Sequence, residues 1–240
     1  HYEDIGRKLG IEVTVYSNGE DKTGFVDSDS EYFNIINASR IKENTIEEEY
    51  NTDLYSQDID KHQLKILKDE FDNYKKSFGL VDFTDMIEKF NVSELCPKYD
   101  VVFVDEAQDL SPIQWRMYDI LKKNSKHIIL AGDDDQAIFK WAGADVDHFI
   151  ALKEEVDNIE TLDQSYRIPG GPIHELSQKI IGKVQNRFDK QYKPREEIGI
   201  LKRYSDITQV NMKEGEWLVL SSANYFLDDV KELCELQGWY

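Results

Sequence analysis

The sequence predicts an α/β protein built on a parallel sheet with flanking helices. Short apolar runs at residues 101–104 and 127–131 and a strand-like stretch at 158–162 have strand length, and the apolar residues between them recur at helical spacing. Strands and helices alternating at these lengths imply parallel strands joined by right-handed crossovers. The 240 residues are 40% hydrophobic and 12% aromatic, which is enough to build a packed core and argues against wholesale disorder.

Residues 1–15 read as a short helix carrying Tyr2, Ile5 and Leu9, then an alternating, strand-like run. From residue 17 to 60 the pattern is weak and the charge high. That suits an exposed insertion with short helices or a partly mobile loop, with a solvated, variable surface. Residues 62–78 carry Leu64, Leu67, Phe71, Tyr74 and Phe78 at spacings of three and four, which predicts an amphipathic helix packed on a core. Phe83, Met86, Ile87 and Phe90 predict a shorter helix after Gly79. Residues 101–104 are four consecutive apolar residues, the signature of a buried strand. Ser111 and Pro112 then open a helix to about residue 122. A strand over 127–131, a helix over 146–155, a strand over 158–162 and a helix over 169–186 follow. Beyond a basic boundary near 190–203, residues 217–220 read as a strand and 225–236 as a helix closed by Gly238.

With 29 Lys and Arg against 48 Asp and Glu, the net charge is −19, which disfavours broad, non-specific attraction to nucleic acid. The charge is uneven. Residues 20–60 hold 12 acidic and 3 basic side chains, whereas residues 179–203 hold 8 basic and 3 acidic, so local phosphate contacts are expected from the second stretch. Cys96 and Cys234 form no C-x-x-C pair, and the five histidines lack zinc-ligand spacing. A reducing, cytoplasmic setting is expected. No apolar run reaches the ~20 residues of a membrane-spanning helix, and the first residues show no signal-peptide pattern.

Three segments carry chemistry. The first is residues 101–109, where an apolar strand runs into Asp105-Glu106-Ala107-Gln108-Asp109. Adjacent carboxylates at a strand's C-terminal end sit where α/β sheets bind ligands; one can hold Mg²⁺ while the other deprotonates a water. A strand ending in solvated acids is the plainer alternative. The second is Gly132-Asp133-Asp134-Asp135-Gln136, followed by Phe139 and Trp141 about Lys140. Three consecutive acids repel one another unless a cation, a phosphate-bound metal or a basic partner lies close. The two aromatics suit base stacking, or alternatively a core. The third is Ser165-Tyr166-Arg167, offering an arginine fork for a polyphosphate and a ring for a purine, or merely a surface ion pair. All three are expected at one sheet edge.

Together these segments resemble the superfamily I DNA helicases of the UvrD/Rep group. Residues 105–109 match the Walker B pattern D-E-x-Q-D, and residues 132–141 match G-D-x-x-Q-x-I-[YF]-x-[WF]. Residues 165–167 match N-Y-R with serine in place of asparagine, and residues 82–86 resemble D-F-x-D-[LM]. The resemblance implies an incomplete RecA-like P-loop NTPase sheet, a mainly helical or irregular insertion and the start of a second RecA-like domain. Its division is 1–16 as part of the first motor domain, 17–78 as accessory insertion, 79–190 as first motor domain, and 191–240 as hinge and start of the second. It also implies roles: Asp105 on Mg²⁺, Glu106 activating water, Gln136 sensing the γ-phosphate, Arg167 contacting that phosphate, Tyr166 stacking on adenine, and Phe139 and Trp141 on bases of single-stranded DNA. Ser165 inherits none. The implied substrate is ATP, and the implied partners are single-stranded DNA and duplex junctions, in DNA repair or replication.

No G-x-x-x-x-G-K-[ST] loop occurs in the sequence, so the chain reads as an internal piece of a helicase, inactive alone. One alternative is a non-catalytic DNA-binding or regulatory module that lost its ATP loop. Another is a metal-dependent nuclease or phosphatase using residues 133–135, which lacks the dispersed ligands of a two-metal site.

Overall fold

A computed structural model describes Ile5, Arg7, and residues 31–52, 59–213, 215–221 and 224–238. Ile5 and Arg7 are helical, while the strand-like run expected before residue 15 lies outside the described residues. The chain divides into two compact units, His1–Glu160 with Asn186–Asp189, and Thr161–Gln185 with Lys190–Tyr240.

The first unit opens with helix α1 (Glu31–Ile41), in which Phe33, Ile35 and Ile36 are all but fully buried. Here the expected solvated surface is corrected. Apolar residues at 33, 35, 36, 38 and 41 surround the helix instead of lining one stripe, and a helix apolar all round belongs inside a core. That same distribution erases the periodicity by which a half-buried helix is recognised. Helix α2 (Ile46–Tyr50) starts with a capping box between Thr45 and Glu48. Helix α3 (Lys61–Phe78) begins at Asp60, whose side chain accepts from the Gln63 N–H, and stops at Gly79 in the left-handed region. Its Leu64, Leu67 and Phe71 meet Ile5, Phe33, Ile35, Ile36 and Ile59 in one cluster, as the spacing predicts. Helix α4 (Phe83–Ser93) is capped reciprocally by Asp82 and Asp85.

Strand β1 (Tyr99–Val104) pairs in parallel with β2 (Ser125–Leu130) through helix α5 (Pro112–Lys123), the expected β–α–β unit. Ser111 and Pro112 do open α5, with the Gln114 side chain accepting from the Ser111 N–H. The expectation of a buried strand at 101–104 is corrected in degree. Val102 and Val104 are half-buried against the helical side, but Phe103 is 74% exposed, since β2 alone pairs with β1 among the described residues. Ala107, Trp115, Tyr118 and Leu152 form the core beneath this pair. Helix α6 (Val146–Ala151) continues as a 3-10 turn to Glu154.

In the second unit, β3 (Gln164–Gly170) pairs in parallel with β4 (Lys193–Ile198) through helix α7 (Pro172–Ile181). The strand expected at 158–162 is displaced: its residues form no regular element, and pairing begins at Gln164 opposite Lys193. Residues 217–220 likewise form no strand and join neither sheet. A 3-10 turn at Asn224–Leu227 leads into helix α8 (Asp228–Leu236), close to the expected 225–236. The α8 end is tied down by Gln237, which accepts from the Met212 N–H and donates to the Val210 carbonyl.

Candidate active site

The C-terminal ends of β1 and β2 bring two of the three predicted segments together. Past Val104 the chain delivers Asp105 and Glu106, both exposed, then tightens into a 3-10 turn at Ala107–Asp109. Glu106 lies in the left-handed region at φ 52°, a conformation that costs a non-glycine residue about 1 kcal/mol. Its backbone N–H donates to Asp105 Oδ1 at 3.0 Å. The turn is stitched to β2 by the Ala131 N–H on the Val104 carbonyl (2.8 Å) and the Ala107 N–H on the Ala131 carbonyl (2.9 Å).

Gln108 joins the two segments. Fully buried, it donates from Nε2 to Glu106 Oε2 at 2.8 Å, and its Oε1 accepts from the Asp133 N–H at 2.9 Å. The glycine at 132 makes room for it: a Cβ there would fall 2.8 Å from Gln108 Oε1 and from Phe149 Cζ. Sequence pattern alone assigns Gln108 no role of its own. Its signal was the fourth place in D-E-x-Q-D, an amide among acids.

A 3-10 turn at Asp134–Gln136 follows, with Asp133 capping it through the Asp135 N–H. Gln136 is exposed, and its Nε2 donates to Asp133 Oδ2 at 2.6 Å. Of the three remedies expected for the acid run, the structure provides the basic partner. Arg187 grips Asp135 bidentately at 2.8 and 2.6 Å, and the Phe188 N–H donates to Asp134 Oδ2 at 2.7 Å. The hydrogen bond to Asp135 raises the Arg187 guanidinium above its ordinary value. Arg187 had been counted among the cations available for phosphate contacts, and so had Lys193 and Arg195, which pair with Asp163 and Glu197. With Asp134 and Asp135 so engaged, the two-metal reading of 133–135 loses support, and no group of three or more metal-ligating side chains occurs among the described residues.

Beyond the turn, Phe139 is half-buried and Trp141 is 68% exposed, with ring centroids 6.5 Å apart. The next residues, Ala142 and Ala144, are buried and root this pair in the first unit.

The third segment is not on this sheet edge. Tyr166 and Arg167, both exposed, lie within β3 in the second unit because β3 pairs with β4 and not with β2. Ser165, to which no role was assigned, shapes that segment: its Oγ accepts from the Ile168 N–H at 3.1 Å and the Arg167 N–H at 3.4 Å, a serine turn that fixes the backbone carrying Arg167.

Residues 30–157, more than half of the chain, match the UvrD/REP helicase N-terminal domain. The chain belongs to that family. This UvrD/REP member is 30% identical over 132 residues to the ATP-dependent DNA helicase Rep of Buchnera aphidicola, covering 50% of the chain and 20% of the relative. It is 33% identical over 144 residues to a probable DNA helicase II homolog of Mycoplasma capricolum, covering 59% and 18%. It is 32% identical over 98 residues to the ATP-dependent DNA helicase PcrA of Staphylococcus epidermidis, covering 36% and 13%. The matches therefore span a fifth or less of these relatives. The family implies a RecA-like P-loop fold, consistent with the α/β units and their short parallel sheets. Asp105, Glu106, Gln136, Phe139 and Trp141 fall inside the matched stretch, and Tyr166 and Arg167 beyond it. No helix among the described residues is long and apolar enough to cross a membrane.

Asp109 is the strained member of the family's acidic turn. Its Oδ1 is buried with no hydrogen-bond partner among the described residues, and burial, reinforced by the Glu106 charge, pushes its carboxyl upward. A raised carboxyl keeps its proton longer in the folded protein than in the unfolded chain. Stability is therefore lost as pH rises from the ordinary 3.8 through the raised value. Asp109→Asn is expected to melt a few degrees higher than the wild type at pH 7, with the gain gone below pH 3.8 in circular-dichroism melts. A variant that melts lower at pH 7 would show that the charge is wanted.

Proposed function

We propose that this chain is the catalytic-carboxylate portion of an ATP-dependent DNA helicase that couples Mg²⁺-ATP hydrolysis to movement along single-stranded DNA and to strand separation at duplex junctions. The observation that carries the reading is the link Glu106–Gln108–Asp133. It holds a water-activating carboxylate and the turn bearing Gln136 in one rigid unit at the sheet's ligand-binding edge.

Asp105 is an exposed hard-oxygen donor at a strand end, which fits Mg²⁺ held by one carboxylate together with substrate phosphates. An ion held by Asp105 would supply positive charge against the phosphates. Glu106, fixed by Gln108 but open to solvent, takes the proton of the attacking water. Gln136 exchanges its bond to Asp133 for one to the γ-phosphate, and so reports the nucleotide to the segment carrying Phe139 and Trp141, which stack on DNA bases. On the second unit, Arg167 contributes its fork to the γ-phosphate and Tyr166 its ring to adenine. In this reading residues 1–16 and 79–190 belong to the first motor domain, 17–78 to an accessory insertion, and 191–240 to the hinge and start of the second.

The chain works within a longer polypeptide that supplies the phosphate-binding loop, and is inactive alone. Two observations support this. Parallel sheets normally have both faces covered, yet Phe103, Val101 and Ile129 are 74%, 43% and 48% exposed on β1 and β2. The named helicases are also several times longer than the stretch matched.

The test is ATP turnover by a polypeptide uniting this chain with a phosphate-binding loop, with and without single-stranded DNA. Turnover stimulated by DNA supports the motor; DNA binding without turnover would instead favour a regulatory module. Trp141→Ala is expected to weaken single-stranded DNA binding roughly 10-fold, the worth of one stacked base, in fluorescence-anisotropy titrations. Unchanged affinity would remove Trp141 from the DNA site.

A further inference from the structure

Residues 186–189 belong to the first unit, although the chain on either side of them, 161–185 and 190–240, belongs to the second. Side-chain contacts hold this short visit in place. Asn186 Nδ2 donates to Asp147 Oδ1 at 2.6 Å, Arg187 grips Asp135 with both arms of its fork, and the Phe188 N–H donates to Asp134 Oδ2. The Arg187 and Asp135 side chains are only 17% and 10% exposed, so water does little to loosen the pair. From Asp135 the bonding continues: its N–H donates to Asp133 Oδ1, the Asp133 N–H to Gln108, and Gln108 to Glu106.

We propose that Arg187 is the positioning residue for Gln136: it anchors the 133–136 turn at Asp135, as Gln108 does at Asp133, and thereby holds the sensor glutamine in register with Glu106. The assignment rests on the helicase reading above. Gln136 is exposed, and its side chain donates to Asp133 within its own turn, so its place is set by how firmly that turn is fixed. Gln108 fixes the first residue of the turn and Arg187 the third. A bidentate fork sets orientation as well as distance, which a point charge does not. Remove the fork, and the repulsion among Asp133, Asp134 and Asp135 loses the offset that the Arg187 charge gives it. Because residues 186–189 are flanked on both sides by the second unit's chain, the same contact offers a covalent route by which displacement of that chain is felt at Gln136.

Two measurements test this. Amide hydrogen exchange on the 240-residue chain reads the anchor directly, at Gln136 and Ala137, whose N–H groups close the turn on Asp133 and Asp134. Arg187→Ala is expected to speed exchange there about tenfold while leaving α3 unchanged, and Arg187→Lys to recover it only in part. In the ATP-hydrolysing polypeptide, Arg187→Ala is expected to lower DNA-stimulated kcat about tenfold with KM for ATP held within about twofold, because misplacement by an ångström costs turnover before binding. Asp135→Asn, which keeps the shape and loses the charge, reproduces both effects if Arg187→Ala folds poorly. Unchanged exchange, unchanged kcat in an active polypeptide, or kcat and folded fraction falling in proportion each overturn the positioning role alone. A wild type with no turnover overturns the helicase reading, and this assignment falls with it.

Discussion

Glu106→Gln is expected to reduce ATP turnover by about 10²- to 10⁴-fold in a polypeptide that joins this chain to a phosphate-binding loop, while nucleotide binding is retained. The geometry makes the substitution unusually clean. Gln108 Nε2 donates to Glu106 Oε2, and a glutamine at 106 can turn its amide so that its own oxygen accepts the same bond. Its backbone keeps the same left-handed conformation, and the neighbouring Asp109 is relieved of a like charge. Shape, strain and fold therefore persist, and the ability to take a proton from water is what disappears. Nucleotide-binding titrations and melts on the same sample check that only chemistry has changed.

Glu106→Gly removes the carboxylate and the backbone strain together. Glycine adopts φ 52° without the steric cost of about 1 kcal/mol, but it removes the acceptor of the buried Gln108 amide, so this variant is expected to be inactive with no net gain in stability. A residue held against its own backbone preference at the mouth of a sheet is what a functional constraint leaves behind. If Glu106→Gln keeps wild-type turnover, Glu106 is not the general base.

The amino-acid sequence exposes this site well where the information is local, and poorly where it depends on partners distant in the chain. The Asp105–Glu106 pair and Gly132 follow strand-length apolar runs, and both sit where the β–α–β pattern puts them. The helix at 62–78 was legible from spacing because one of its faces is buried and the other wet. Helix α1 was not, because burial on every side leaves no period to detect. Phe103 shows the converse: an apolar residue in a strand says nothing about whether a neighbour covers it. Arg187 lies 52 residues from Asp135, and only the folded chain shows that its charge serves the acid turn and not a phosphate. Tyr166 and Arg167 read as a third contribution to one edge because strand order cannot be inferred from strand count. Pairing of β3 with β4 decides otherwise.

Arg40 carries the largest expected effect on stability. Asp82 and Asp85, prominent in sequence as D-F-x-D, cap α4 for each other and then meet two cations from elsewhere in the first unit. Arg40, on α1, donates to Asp82 at 2.8 Å, to Asp85 at 2.6 Å and to Glu88 at 2.9 Å. Lys75, on α3, reaches Asp82 at 3.0 Å and Asp85 at 2.7 Å, with its ammonium 4.4 Å from the centre of the Phe71 ring. Three carboxylates thus share two cations, and three helices are joined where their charged ends are largely shielded from water. Burial alone would lower the Arg40 guanidinium, but its bonds to Glu88 and Asp82 outweigh that and raise it. Burial likewise works against the Asp82 charge, yet Arg40 and the Asp85 N–H hold that carboxyl down at about 2.

Arg40→Ala leaves three clustered acids with Lys75 as their remaining cation in the network, and removing one partner of a shielded pair costs about 3–5 kcal/mol. The melting temperature is expected to fall by roughly 10 °C. The pH dependence carries the sign. A depressed carboxyl gives stability that is fully present above its ordinary 3.8 and is lost as pH falls towards 2, so the wild type resists acid down to that range. In Arg40→Ala the Asp82 carboxyl loses its strongest partner and returns towards its ordinary value, so the stability deficit of the variant is expected to be full above pH 3.8 and to shrink as pH falls towards 2. Arg40→Lys restores one charge but cannot span Asp82, Asp85 and Glu88 together, and is expected to recover less than half of the loss. An Arg40→Ala protein that melts with the wild type, with the same acid midpoint, would reduce the network to surface charge and leave the docking of α4 on α1 and α3 to apolar contacts alone.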